Sequence, residues 1–175
     1  MRRPERPAGR WTAARCVVVV LAASAAACTN GTSITTPFDT SPPVLRRGPV
    51  YELQTGQIAG LGTVVVDGHG ITLYTYATDQ RGRPSRCSGI CAVQWPPFVL
   101  PPGVDRPLAG RGIREALLGT APRADGSVQV TYDGWPLYTW PPDRAPGQAT
   151  GQALTNAGGL WYVQRPDGTV VVTPA

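Results

Sequence analysis

Lysine is absent from this chain: all 16 basic residues are arginine, a bias of composition that carries no function by itself. Histidine and methionine occur once each, and there are 4 cysteines. A structural zinc site takes about four nitrogen or sulfur ligands, and His69 with Cys87 and Cys91 supplies too few. No G-x-S-x-G elbow, H-E-x-x-H pair or phosphate-cradling glycine loop occurs, and no serine stands in a recognisable nucleophile setting. These absences argue against the common enzymes, imply no cofactor and leave the catalytic residues at none. Past residue 27 no dense basic cluster occurs beyond Arg46-Arg47 and the group Arg81, Arg83, Arg86, so the patch that nucleic acid requires is missing there. Nor does the N-terminal apolar run reach the about 20 residues of a membrane-spanning helix.

What is present begins with an address. MRRPERPAGRWTAAR carries five arginines and one glutamate, and 12 apolar or small residues follow, Cys16–Ala27. A positive head, a short greasy core and small residues before a cysteine describe an export signal over residues 1–27. Arg2-Arg3 lacks the hydrophobic continuation of a twin-arginine signal, which favours the general secretory route. Ala25-Ala26-Ala27-Cys28 resembles a bacterial lipobox, with Ala where Leu is usual. That resemblance implies cleavage before Cys28, a diacylglycerol on its thiol, and a hold on the extracytoplasmic face of the cell membrane without spanning it. Without residues 1–27 the balance is 11 arginines against 10 acids, a net +1, so the basic character belongs mostly to the signal. Residues 28–57 are rich in Thr, Ser and Pro and lack periodic apolar residues, which describes a flexible linker. Val50–Leu53 within it is able to add an edge strand.

The rest is organised by a duplication. GITLYTYATD at 70–79 and GWPLYTWPPD at 134–143 lie 64 residues apart and share Gly, Leu-Tyr-Thr, an aromatic and a closing Asp. Residues 58–175 read as short strands punctuated by Gly, Asp and Pro, in two repeats of about 60–103 and 117–173. Four Asp-Gly pairs (67–68, 125–126, 133–134, 167–168) sit where tight hairpins want positive φ. The spacing predicts an all-β module, a small barrel or sandwich of two strand–turn–strand units, with at most a short helix at 113–118. Strand alternation puts Leu73 and Thr75 on one face and Tyr74 and Tyr76 on the other, and repeats this for Leu137, Thr139 against Tyr138, Trp140. Neither face is strongly polar, so both are expected to be covered. Trp95 and Trp161, each in an aromatic segment after its motif copy, are expected to close the same core.

Chemistry rests on few residues. Tyr74, Tyr76, Tyr138 and Trp140 are either sheet-core packing or the lining of a groove for an apolar or aromatic ligand. Asp79 and Asp143 each end a strand, where a carboxylate shapes a turn by accepting backbone N–H bonds two residues on; the alternative is a carboxylate pair serving as acid and base or holding a cation. Cys87 and Cys91, four positions apart outside the cytoplasm, are expected to form a disulfide; a redox or metal role with His69 competes.

The pattern Tyr-x-aromatic-x-x-Asp in YTYATD and YTWPPD, the segment CSGICAVQWPP, the run LLGTAPRADGSVQVTYDGWPLY and the ending NAGGLWYV together resemble the bacterial secreted lipoprotein-repeat family, known for a Yx(FWY)xxD motif. The resemblance spans about residues 60–173. It implies a secreted module of unknown function, and some relatives are associated with alkane utilisation. The expectation is therefore a lipid-anchored, non-enzymatic module that meets an unknown envelope protein or a small apolar ligand. The alternatives are a redox or metal-binding envelope protein using Cys87, Cys91 and His69, and a carrier of hydrophobic compounds such as alkanes.

Overall fold

A computed structural model describes residues 48–173. The expected signal at 1–27, the expected anchor at Cys28 and most of the expected linker lie outside the described residues. Strand β1 (Glu52–Ile58) turns at Gly60 and Gly62 into β2 (Gly62–Asp67), with Leu53 opposite Asp67 and Ile58 opposite Gly62. β4 (Leu108–Ala109) pairs in parallel with the start of β1, so β1 is the middle strand of its sheet and not an edge. Since Leu53 is fully buried there, the folded part begins before residue 58, inside the stretch read as linker. The linker composition misleads because one buried Leu and ladder bonds suffice to order a short strand whose partners are distant in sequence.

The second repeat opens with β5 (Leu118–Pro122) and β6 (Val128–Tyr132), joined around Asp125-Gly126, followed by β7 (Trp135–Pro136). Asp133 (φ 50°) and Gly134 (φ 76°) both hold positive φ, as a two-residue hairpin turn demands. Asp67-Gly68 makes a wider turn. Asp67 Oδ1 accepts the amides of His69 at 2.9 Å and Ile71 at 2.8 Å, and positive φ falls on Gly70 instead. The third sheet runs β3 (Tyr74–Tyr76), β9 (Gly159–Val163), β8 (Thr155–Asn156). Among the described residues the three sheets do not close into a barrel, and the sandwich alternative of the expected all-β fold holds. The expected helix at 113–118 is a single 3-10 turn, Glu115–Leu117. A short helix the sequence did not announce, α1 (Ile90–Gln94), starts after Gly89, whose φ of 55° lets the chain enter it.

Alternation along the motif strands divides the interior. Leu73 and Leu137 join Leu53, Val65, Phe98 and Val130 in one cluster. Tyr74, Tyr76 and Tyr138 join Val64, Val66, Trp95 and Trp161 in the other, with Trp140 packed against it. Both faces of the duplicated strands are thus covered, as their weak polarity predicts.

Candidate functional site

The two motif copies meet at their tyrosines. Tyr74 N donates to Tyr138 O and Tyr138 N to Tyr74 O, both at 2.9 Å, an antiparallel bridge between equivalent residues. Each copy then pairs with the aromatic segment that follows the other. β3 lies along β9, with Tyr76 opposite Trp161, while Tyr138 bridges Pro97 and Thr139 N donates to Pro96 O at 3.0 Å. The repeats exchange their closing strands across this bridge.

The side chains repeat the exchange. The Tyr74 hydroxyl donates to Asp143 Oδ2, and the Tyr138 hydroxyl to Asp79 Oδ2 at 2.6 Å, so each phenol is held by the other copy's acid. The second oxygen of each carboxylate accepts an amide seven residues on: Arg86 N at 2.7 Å for Asp79, Thr150 N at 2.9 Å for Asp143. Each acid therefore ties its own loop to the opposite repeat, and the turn-shaping bond is longer in sequence than the two-residue one expected. Ser85 Oγ lies 2.6 Å from the Tyr138 hydroxyl, and Gly151 N donates to the Tyr74 hydroxyl at 3.2 Å. Burial, then the adjoining Asp143 carboxylate, pushes the Tyr74 phenol far above the ordinary tyrosine range, and burial with Asp79 does the same to Tyr138. Burial raises the Asp79 carboxyl too, opposed by the Tyr138 bond, the Arg86 amide and the nearby Arg123 charge.

Four rings stack in a row beside these bonds. Tyr76 lies on Trp161 at 4.3 Å, Trp161 on Trp95 at 3.9 Å, and Trp95 on Trp140 at 4.2 Å between centroids. Tyr74 meets Trp95 edge-on at 5.4 Å and Tyr138 meets Trp161 edge-on at 5.0 Å. The order is again reciprocal: a motif aromatic of one repeat covers the tryptophan of the other. Asn156 satisfies both central indoles, its Oδ1 accepting Trp95 Nε1 at 3.1 Å and its carbonyl accepting Trp161 Nε1 at 3.0 Å.

Tyr74, Tyr138, Trp95 and Trp161 are wholly buried and Tyr76 nearly so, so these rings form the core and do not line an open groove. Cys87 and Cys91 form a disulfide with Cα atoms 5.2 Å apart, which removes both thiols as metal ligands; Cys87 is also buried, which limits exchange at its sulfur. His69 is exposed in its turn. Sequence reasoning passed over Arg123, whose nearly buried guanidinium donates to Gln129 Oε1 at 2.7 Å and to Cys87 O at 2.8 Å. It also missed a small apolar cleft of about 210 Å³ lined by Thr75, Ala77, Trp135, Tyr162, Val170 and Val172, on the face of β3 opposite Tyr74 and Tyr76. The signal for it lay in the same alternation, read for the wrong face.

Comparison with curated proteins and with solved structures finds no match to this chain. A family model (Lipoprotein_15) described as a secreted repeat of unknown function matches it twice, over residues 58–99 and 119–164. The two matches take in both motif tyrosines and both tryptophans at the centre of the stack, and stop short of neither motif's acid. The chain belongs to this family of secreted repeats, whose members lie outside the cytoplasm.

Proposed function

We propose that the chain is a lipid-anchored, non-enzymatic interaction module on the extracytoplasmic face of the cell membrane. The observation that carries this is the engagement of the duplicated motif. Both acids, both tyrosines and the tryptophans are bonded or stacked within the core, and the thiols are joined. Groups so engaged stabilise a rigid fold and have no exposed reactive atom to offer a substrate, so contact falls to surface loops and strand edges. A diacylglycerol on Cys28 supplies the attachment. Cys28→Ala tests the anchor directly: fractionation of expressing cells is expected to move the protein from membranes into the soluble fraction. Wild-type protein found soluble, or a variant still on membranes, contradicts it.

The carrier alternative shifts to the other face of β3. The cleft of about 210 Å³ is almost wholly apolar in its lining side chains. It is smaller than the about 300 Å³ at which drug-sized sites begin, so it suits a single ring or a short alkyl chain. A change in Trp135 fluorescence on adding short alkanes, lost in Trp135→Phe, is its test.

A further inference from the structure

Thr131 is only 5% exposed, yet its hydroxyl has no hydrogen-bond partner among the described residues. A buried hydroxyl left unpaired costs stability, so its surroundings bear on function. Its neighbours Val130 and Tyr132 belong to the core cluster with Leu53 and Phe98, so alternation turns Thr131 to the other face of β6. Opposite it in register stands Gly119, and Ala121 follows on the same face of β5. A side-chain carbon at Gly119 would fall 2.8 Å from Thr131 Oγ1. The hydroxyl therefore stands over a glycine that has no side chain to cover it.

The arm 81–87 is pinned at both ends. Arg81 Nε donates to Asp133 O at 2.7 Å and Gly82 N to Gly134 O at 2.8 Å, at the turn between β6 and β7. At the other end Arg123 Nη2 donates to Cys87 O at 2.8 Å, in a segment further fixed by the disulfide. A cavity of about 440 Å³ is lined by arm residues 81–84, by residues 116–122, and by Thr131, Asp133 and Gly134. That volume falls within the about 300–1,000 Å³ of small-molecule sites. The Arg81 guanidinium is tied to Asp133, whereas that of Arg83 is exposed and has no partner among the described residues. Two arginines against one aspartate leave the lining with one positive charge to spare, which suits a monoanion. Pro84, Ala116, Leu117 and Ala121 add aliphatic surface for an apolar body.

We propose that this cavity binds a small organic monocarboxylate with a hydroxylated body the size of one ring. The Arg83 guanidinium takes the carboxylate, which its fork of N–H groups matches with two parallel bonds. The aliphatic lining takes the ring, and the Thr131 hydroxyl, able to donate or accept, takes the ligand's hydroxyl. The proposal rests on the reading of the chain as a module that binds without reacting, and not on the lipid anchor.

The test titrates 4-hydroxybenzoate, benzoate and 4-hydroxybenzamide into the isotope-labelled full chain and follows its amide signals. The expected result is a saturable shift of residues 81–83, 116–121 and 131–134 by 4-hydroxybenzoate, with a Kd of about 1 mM or tighter. Benzoate lacks the hydroxyl and 4-hydroxybenzamide lacks the charge, so each is expected to bind roughly fivefold more weakly. Thr131→Val removes a hydroxyl that holds no other group and is expected to erase the gap between 4-hydroxybenzoate and benzoate. Arg83→Gln, at an exposed side chain, is expected to erase the gap between 4-hydroxybenzoate and its amide, and decides alone if Thr131→Val fails to fold. No saturation by about 10 mM, equal binding of the three probes, shifts confined to another surface, or either gap surviving its substitution in folded protein overturns the proposal. Each of these leaves the module reading standing, whereas chemical turnover of a probe overturns the module reading itself.

Discussion

Tyr74 and Tyr138 carry the most consequential bonds in the molecule, because each joins a buried phenol to a buried carboxylate of the other repeat. A hydrogen bond to a charged group contributes about 1.5–3 kcal/mol, so Tyr74→Phe and Tyr138→Phe are each expected to lower unfolding free energy by that amount in urea titration. The phenols also set an alkaline limit. Their folded pKa values lie above the ordinary value of 10.0, owing first to burial. The unfolded chain therefore loses these protons first, so their contribution is complete below about pH 10 and falls as pH rises, by up to about 1.4 kcal/mol per pH unit per tyrosine. Urea midpoints measured from pH 9 upward are expected to drop more steeply in the wild type than in the double Phe variant; equal slopes contradict the assignment. The burial of these tyrosines was legible in the alternation with Leu73 and Leu137. Their partners were not, because local reasoning reaches a few residues along the chain whereas the acids stand 69 and 59 residues away. The trace that pointed to them was the equal Tyr-to-Asp interval in both copies.

Short elements held by distant partners account for what the sequence concealed. β3, β7 and β8 have three, two and two residues, and none is defined by propensity alone. Their existence depends on the facing segment, which is why the hairpins at Asp125-Gly126 and Asp133-Gly134 could be read while the pairing of β3 with β9 could not. β1 shows the same effect at the boundary, and α1 shows it in a segment where a disulfide and Gly89 fix one turn of helix. Closing so small a loop contributes about 2 kcal/mol in the chain-entropy treatment. Cys91→Ser is accordingly expected to lose about that much stability in urea while leaving the far-ultraviolet spectrum unchanged. A global loss of fold would mean that the clamp organises the arm 81–87 and the Arg123 contact to its carbonyl, and not merely the loop.

Across the whole molecule, the duplication is an exchange and not a row of independent units. Equivalent tyrosines bridge at the centre, the strands cross over, the acids cross over, and the ring stack alternates between repeats. That arrangement makes the folded core a product of both halves. The cross-repeat bonds are tested by double-mutant cycles on unfolding free energy, pairing Tyr74→Phe and Tyr138→Phe with Asp79→Ala and Asp143→Ala. Tyr74 with Asp143 and Tyr138 with Asp79 are expected to couple by about 1.5–3 kcal/mol, and the same-copy pairs Tyr74 with Asp79 and Tyr138 with Asp143 by less than about 0.5 kcal/mol. Strong coupling within each copy and none between copies would contradict the exchange.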